Sequence, residues 1–341
     1  MNRYRISWLL SITFVIFIFG SILQTVSLTA VFHSLAQLQI QQILLLILLN
    51  GFVIIFVTAR WWLILWRMGF RIPFWMAVGH RLASFGVSFF TPGPQFGGEP
   101  VQVLLAEKAN GVPRVTAVSS VALDKTLELL INFTFILLGV LLILQWEMFT
   151  QAVRINALFF FGALLVFPAL YLAALWRGKR PLSGFMRVFQ PLFNLHSAWG
   201  LTYQRFTKGM GKSEAAASRF CRRAPQFLFL ALGVSILGRA FLILEFFMMV
   251  NALGANLSLL EAIILLTAVR IAFLLPLPGG LGSVEAAMAF TLNLLGSNPA
   301  IALSASILIR SRDVSLGLLG LWWGAGGWKS WRRKRELGIG D

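Results

Sequence analysis

Two runs of proline and glycine, each leading to a glutamate, interrupt apolar stretches of this 341-residue chain. Their members are Pro92, Pro94, Gly97, Gly98 and Glu99 in the first run and Pro276, Pro278, Gly279, Gly280, Gly282 and Glu285 in the second. A helix that starts after such a run presents free N–H groups and the positive end of its dipole, which suit phosphate and other anions. The two runs are therefore candidate binding segments, although a glutamate there also caps a helix without any ligand.

Charged residues also occur inside the apolar segments, where each costs at least ~2.5–3.5 kcal/mol near a helix centre and needs a partner or a role. Asp124 and Glu128, four positions apart, lie on one face of a predicted helix. Arg310 and Asp313, three positions apart, lie on one face of another predicted helix. The candidate headgroup-binding residues are Glu99, Asp124, Lys125, Arg270, Glu285, Arg310 and Asp313.

Two alternatives stay open for these charges. They either bind a substrate or pair with one another and lock helices together, as we expect for a share of intramembrane charges. Arg312 competes with Arg310 for the role of functional arginine. Arg239 and Glu245 lie on different faces of one segment, so their partners must come from other helices.

Composition indicates a polytopic membrane protein. The chain is 58% hydrophobic and 12% charged, with a mean hydropathy of +0.81, which is too apolar for a soluble domain of this length. The net charge of +17 fits a surplus of Lys and Arg in cytoplasmic loops better than nucleic-acid binding. A single cysteine and three scattered histidines predict no disulfide framework, metal site or cofactor.

Apolar stretches long enough to cross the ~30 Å bilayer core predict an all-α fold with about six transmembrane helices. The six spans are Ser7–Phe32, Ile43–Thr58, Val115–Leu144, Ile155–Trp176, Pro225–Val250 and Pro299–Gly324. Two further segments, Phe74–Lys108 and Leu259–Leu295, contain the proline–glycine breaks. Their arms are short for a full crossing, so we expect two re-entrant hairpins.

Charge placement gives the orientation. With both termini in the cytoplasm, nearly all loop Lys and Arg residues fall on the cytoplasmic side, provided that both broken segments return to the face they entered from. The units 43–144 and 225–324 then have the same order of elements in opposite orientation, which is an inverted repeat. Transporters use such repeats to alternate access around a site near the membrane midplane.

We therefore expect one integral membrane domain over residues 1–331 and a cytoplasmic tail over 332–341. The only long polar stretch, 177–224, alternates basic and apolar residues at helical spacing. We interpret it as an amphipathic cytoplasmic linker that lies on the anionic leaflet, although a solvated linker would have similar composition.

The pattern Pro92-x-Pro94-x-x-Gly97-Gly98-Glu99-Pro100, the later Asp124-Lys125, the second break and an arginine in the last span resemble the flippase-like membrane domain family. This family includes the transmembrane region of lysylphosphatidylglycerol synthase. The resemblance covers about Ile6–Trp331. It implies lipid translocation, with Glu99, Asp124, Lys125, Glu285 and Arg310 at matching positions, and we expect a stand-alone member without the aminoacyl-transferase domain.

The leading hypothesis is a flippase or scramblase, not an enzyme, that moves a phospholipid or a polyprenyl-phosphate-linked lipid in the inner membrane of a prokaryote. A lipid synthase is a candidate partner, and the sequence does not indicate the oligomeric state. A membrane-embedded lipid-phosphate transferase and a small-solute or ion transporter are the alternatives. The chain has no Gly-x-x-x-x-Gly-Lys-[Ser/Thr] loop, so the energy for transport comes from a gradient, from a partner, or from neither if the movement is passive.

Overall fold

The computed structural model describes residues 36, 38–91, 97–145, 150–189, 198–275, 280 and 282–327. The predicted first span and the predicted tail lie outside these residues. Over the described residues the chain is all-helical, as predicted. Its helices are α1 (Ile40–Arg67), α2 (Phe74–Phe90), α3 (Glu99–Asn110), α4 (Arg114–Ile143), α5 (Gln151–Trp176), α6 (Pro181–Val188), α7 (Ala198–Arg223), α8 (Pro225–Ala252), α9 (Leu259–Ala272), α10 (Ser283–Leu294) and α11 (Ala300–Trp322).

Four of the described helices, α1, α4, α5 and α8, are long and apolar enough to cross a membrane. They correspond to four of the six expected spans. The last expected span forms α11, which has 23 residues, but Arg310, Arg312 and Asp313 interrupt its apolar character. Helix α1 runs well beyond the predicted end at Thr58, because Trp61–Leu65 continues its buried face.

Each proline–glycine break joins two helices that pack against one another. Pro92, Pro94, Pro276, Pro278 and Gly279 themselves lie outside the described residues. At the first junction the Gly98 N–H donates to Ser88 Oγ of α2 over 2.9 Å, and at the second Ser283 Oγ donates to the carbonyl of Ala272 over 3.3 Å. Helices α2 and α3 therefore form one hairpin, and α9 and α10 form another.

Glycines make these junctions possible. Gly97, Gly280 and Gly282 have φ angles of 129°, 64° and 80°, which side chains disfavour. A Cβ atom on Gly98 would overlap the carbonyl of Ser84 in α2, so only glycine lets the first hairpin close this tightly.

Helices α1 and α8, the first elements of the two predicted units, pack antiparallel along their length. Asn50 contacts Glu245, Phe52 and Phe56 contact Phe241, and Trp66 contacts Phe227. Residue numbers that rise along α1 thus meet numbers that fall along α8. Antiparallel packing of corresponding helices is what two oppositely oriented units require.

The hairpin of each unit packs against the last helix of the other. A Cβ atom on Gly320 of α11 would overlap the Leu82 carbonyl of α2, and one on Gly139 of α4 would overlap the side chain of Thr267 in α9. Small residues let helix backbones approach closely inside a membrane. The two units are therefore interlocked through glycine contacts.

The polar stretch folds into α6 and α7, which pack together. Glu214 of α7 accepts the N–H groups of Leu182 at 2.8 Å and Ser183 at 2.9 Å. A carboxylate at this position satisfies the free N–H groups of the first turn of α6 and its dipole. Phe185, Val188 and Phe206 remain exposed on this helix pair.

The close approach of α2 and α11 gives a stability prediction. We expect Gly320→Ala to lower the thermal midpoint of unfolding in detergent, because the added methyl group forces two backbones apart at a cost of about 1–3 kcal/mol. The matched control is Gly233→Ala in α8, where a Cβ atom meets nothing within 4 Å. That variant should be as stable as the wild type or slightly more so. Equal midpoints for the two variants would contradict the packing of α2 on α11.

Candidate functional site

An ion-pair network joins the four helices α1 to α4. It consists of three cations and three carboxylates, namely Arg60, Arg81, Lys125, Glu99, Asp124 and Glu128. Helix α4 contributes Asp124, Lys125 and Glu128, which lie within about one turn of each other. Each of the other three helices contributes one residue. The formal charges of the network cancel, so each carboxylate of this network is compensated within it.

Asp124 is the centre of the network and is almost fully buried, with 1% of its surface exposed. Its Oδ1 accepts Arg60 Nε at 2.6 Å and its Oδ2 accepts Arg81 Nη1 at 2.6 Å. Glu128, one turn later, accepts Nη2 of the same arginines at 3.2 and 2.7 Å. Charge-assisted bonds of this length are strong where water is excluded. The two arginines thereby fix α1 and α2 against α4.

Lys125 connects the network to the first break. Its Nζ lies 3.1 Å from Glu99 Oε1 and 3.0 Å from Glu128 Oε1. The other oxygen of Glu99 accepts the N–H of Gly97 at 3.0 Å. Glu99 thus binds both the start of α3 and the last helix of its own unit.

The second break repeats this arrangement. Glu285 Oε2 accepts the N–H of Gly282 at 2.8 Å, and Oε1 accepts Arg310 Nη2 of α11 at 2.6 Å and Ser306 Oγ at 2.5 Å. In both units the glutamate after the break accepts a glycine N–H and a cation from the following helix. This shared geometry favours the interpretation in which the charges pair with one another and hold helices together.

A third cluster joins α1, α8 and α11. Arg312 Nη1 lies 2.6 Å from Glu245 Oε1, and its Nη2 lies 2.9 Å from Asp313 Oδ1. Asn50 Nδ2 donates to Glu245 at 3.2 Å. Glu245, for which the sequence indicated no partner, thus binds Asn50 of α1 and Arg312 of α11.

A cavity of about 460 Å³ opens between the two units. Helices α1 to α4 contribute the whole ion-pair network to its wall, and α8 and α9 contribute Arg239 and Arg270. Phe85, Phe133 and Phe273 provide apolar wall. The volume falls in the range of about 300–1,000 Å³ that is usual for ligand sites, and such a mixture of apolar wall and convergent charges is typical of them.

Arg270 also lines a second cavity of about 170 Å³, together with Glu245, Arg312 and Asp313. Phe85, Leu242 and Phe273 border both cavities. The two cavities therefore adjoin at α9, and Arg270 stands between them.

The structure places the predicted site residues in three groups. Glu99, Asp124, Lys125 and Arg270 line the large cavity. Asp313 lines the small one. Glu285 and Arg310 line neither of these cavities and bind one another.

One expected pairing is different from the observed one. Arg310 and Asp313 share a helical face, but Arg310 reaches Glu285, and Asp313 binds Arg312. The reason is that α10 packs beside α11 and brings a carboxylate close to Arg310, whereas helical spacing considers only neighbours on the same helix.

Three lining residues of the large cavity, Arg60, Gln102 and Arg239, were not predicted from the sequence. The predicted span ends at Thr58, so Arg60 was expected among the cytoplasmic loop residues. In the structure Arg60 lies within α1 and is only 3% exposed. The apolar residues that follow it were the available signal, because they extend the helix and leave the arginine inside. Gln102 lies on the buried face of α3, and spacing alone gave no indication of it.

The contact between Glu285 and Arg310 gives a prediction about stability. We expect Glu285→Gln and Arg310→Gln each to lower the thermal midpoint in detergent, because the first leaves partly buried Arg310 and the second leaves buried Glu285 without the opposite charge that it binds. The double variant should lose clearly less than the sum of the two, since contacting residues couple by about 0.5–3 kcal/mol. Additive losses would show that the two side chains do not bind one another.

Comparisons with known proteins agree with this architecture. Residues 8–320 match the family model of the lysylphosphatidylglycerol synthase TM region. The chain is 22% identical over 236 residues to a UPF0104 membrane protein of Methanothermobacter thermautotrophicus, which covers 67% of this chain and 68% of the relative. No solved structure matches the chain.

The spanning helices and the family agree that this is an integral membrane protein. The family match extends over both predicted units and over both hairpins. The chain belongs to the family of the lysylphosphatidylglycerol synthase transmembrane region.

Proposed function

We propose that this protein moves a phosphate-bearing lipid, a phospholipid or a polyprenyl-phosphate conjugate, between the two leaflets of the membrane. The observation that carries the proposal is the large cavity inside a membrane protein, whose wall has five cationic and three anionic side chains among the described residues. Charges at membrane depth mark substrate pathways when they line a cavity. The cavity would take the polar headgroup while the acyl or prenyl chains stay in lipid.

The helix arrangement supports transport by two units that move against each other. The cavity lies between α1–α4 on one side and α8 and α9 on the other. Antiparallel packing of α1 and α8, and the two break hairpins, agree with an inverted repeat whose hairpins are re-entrant. In this proposal the headgroup site opens to one leaflet and then to the other as the units rock.

We propose transport in preference to an enzymatic transfer. Glu99, Asp124 and Glu128 of the large cavity each lie within about 3 Å of Lys125, Arg60 or Arg81. A general base must be available to take a proton from its substrate, and carboxylates held by cations are poorly suited to that task.

We further propose the inner membrane of a prokaryote as the location, with both termini in the cytoplasm. Helices α6 and α7 would then lie on the anionic cytoplasmic leaflet. Their exposed Phe185, Val188 and Phe206 would enter the headgroup region, and neighbouring Arg187 and Arg205 would face anionic lipids. A lipid synthase that delivers the substrate is a partner of the appropriate kind.

Blocking the cavity tests the proposed function. Liposomes that contain the purified protein should move fluorescent phospholipids between leaflets faster than protein-free liposomes. Val234→Trp, which places an indole in the cavity wall, should lower that rate to the protein-free level. Ile236→Trp is the matched control, because this residue is 58% exposed on the opposite face of the same helix. The proposal is wrong if wild-type protein moves no lipid, or if the Val234→Trp protein moves it normally.

Cysteine labelling tests the proposed orientation. Cys221 is fully buried, and burial raises the pKa of its thiol to about 12, so the native cysteine should not react with maleimides at pH 7–8. In this background Gln151→Cys and Asn298→Cys should react from outside the cell, and Lys208→Cys should react only after permeabilisation. Labelling of Gln151→Cys and Asn298→Cys from opposite sides would rule out the hairpin topology.

A further inference from the structure

Two residues that line the large cavity each have a buried donor atom without a partner among the described residues. Arg270 Nε and Gln102 Nε2 are buried and have no hydrogen-bond partner in the described part of the chain. Both residues line the cavity, and Gln102 is only 1% exposed. A buried donor that lacks an acceptor costs about 1–3 kcal/mol. The described residues therefore provide no hydrogen-bond acceptor for these two donors.

Arg239 adds a cation in the same wall. Its Nη2 donates to Asn132 Oδ1 at 3.1 Å, and its guanidinium lies 5.2 Å from the centre of the Phe135 ring. Within the described residues neither Arg239 nor Arg270 has a carboxylate within 4 Å. The direct contacts of Arg239 are thus a neutral amide and an aromatic ring, and no carboxylate among the described residues binds it directly.

The carboxylates of the cavity are not available to these arginines. Glu99, Asp124 and Glu128 are each held by Arg60, Arg81 or Lys125 at 2.6–3.2 Å. The cavity wall as described thus has two more cations than anions. If the adjoining small cavity is included, with Arg312, Glu245 and Asp313, an excess of one cation remains.

Because the wall has an excess of positive charge and donors without a partner, it is suited to a negatively charged ligand with several hydrogen-bond acceptors. A phosphate mono- or diester meets both requirements, because guanidinium groups bind its oxygens with two parallel hydrogen bonds. An ammonium group would be repelled by the surplus cations of this wall, and the three carboxylates that could attract it are already bound to Arg60, Arg81 or Lys125. The site therefore favours a headgroup with net negative charge over a zwitterionic or cationic one.

We propose that Arg239, Arg270 and Gln102 form an anion site for the phosphate of a net-anionic lipid headgroup, and that this site makes the protein selective against headgroups that carry an ammonium group. The proposal rests on the proposed lipid transport and names its substrate class. Arg239 and Arg270 belong to the second unit, and Gln102 belongs to the first. A bound phosphate would therefore bridge the two units.

A transport experiment tests the selectivity. Liposomes containing the protein receive fluorescent lipids with the same chains and either a phosphoglycerol, a phosphocholine or a lysine-esterified phosphoglycerol headgroup. We expect the phosphoglycerol lipid to move fastest. Arg270→Gln and Arg239→Gln should each slow it roughly tenfold or more, the loss expected for one charge-assisted hydrogen bond. Arg114→Gln is the control, because this arginine is exposed on α4 and lies outside the cavity wall.

The outcomes separate the two proposals. If the three lipids move at equal rates, or if the glutamine variants move the phosphoglycerol lipid as fast as the Arg114→Gln protein, the anion site is wrong while lipid transport stands. If the cationic lipid moves fastest, the selectivity is opposite to the proposal. If no lipid moves above the protein-free rate, the transport function fails, and the site is then judged by binding alone.

A binding experiment distinguishes a lipid headgroup from free phosphate. The thermal midpoint of the detergent-purified protein is measured with inorganic phosphate, with a short-chain phosphatidylglycerol and with a short-chain phosphatidylcholine. A rise with the phosphatidylglycerol that is absent in Arg270→Gln protein supports a lipid headgroup site. A rise with inorganic phosphate alone shows that the anion site takes a soluble ion, which would overturn the lipid assignment. Equal rises in wild-type and Arg270→Gln protein would remove Arg270 from the site.

Discussion

The structure depends on neutralising charges where water is excluded. Asp124 is almost completely buried and lies 2.6 Å from two arginines that come from two different helices. Removing one partner of such a pair leaves an uncompensated buried charge, which costs about 3–5 kcal/mol in soluble proteins. The carboxylate is therefore tolerated only while α1 and α2 keep their positions against α4. The positions of these three helices in turn define one side of the large cavity.

The same constraint explains why the helix breaks are built as they are. A break in a membrane helix frees N–H groups that lipid cannot satisfy. Here Glu99 and Glu285 each accept one of these N–H groups and bind a cation from the following helix. Each glutamate thus satisfies a freed N–H group of the break and neutralises a partly buried Lys or Arg at the same time. Glycine is needed at the same places, because the hairpin arms approach too closely for a Cβ atom at Gly98.

Periodicity and composition predicted the all-helical fold and four of the spans, because apolar length is a local property of the sequence. The glycine breaks and the charged positions Asp124 and Lys125 were also recognisable, since they are exceptions within apolar segments. The partners of the charges were not predictable in this way. Arg310 binds Glu285 and Arg312 binds Glu245, and these contacts depend on which helices become neighbours. Arg239 and Gln102 are recognised as candidate site residues only because both line the large cavity.

In the proposed transport cycle, Arg270 would connect the anion site to the movement of the two units. This arginine stands at the boundary of two cavities, one with an excess of cations and one in which Glu245 and Asp313 face Arg312. An arginine between two such environments, whose Nε has no partner among the described residues, would be held by a bound anion on one side or attracted to carboxylates on the other. A ligand shifts a conformational equilibrium only through a difference in its affinity for the two states. In the proposed transport cycle Arg270 would supply that difference, because a phosphate that engages it would keep it from reaching the carboxylates of the small cavity.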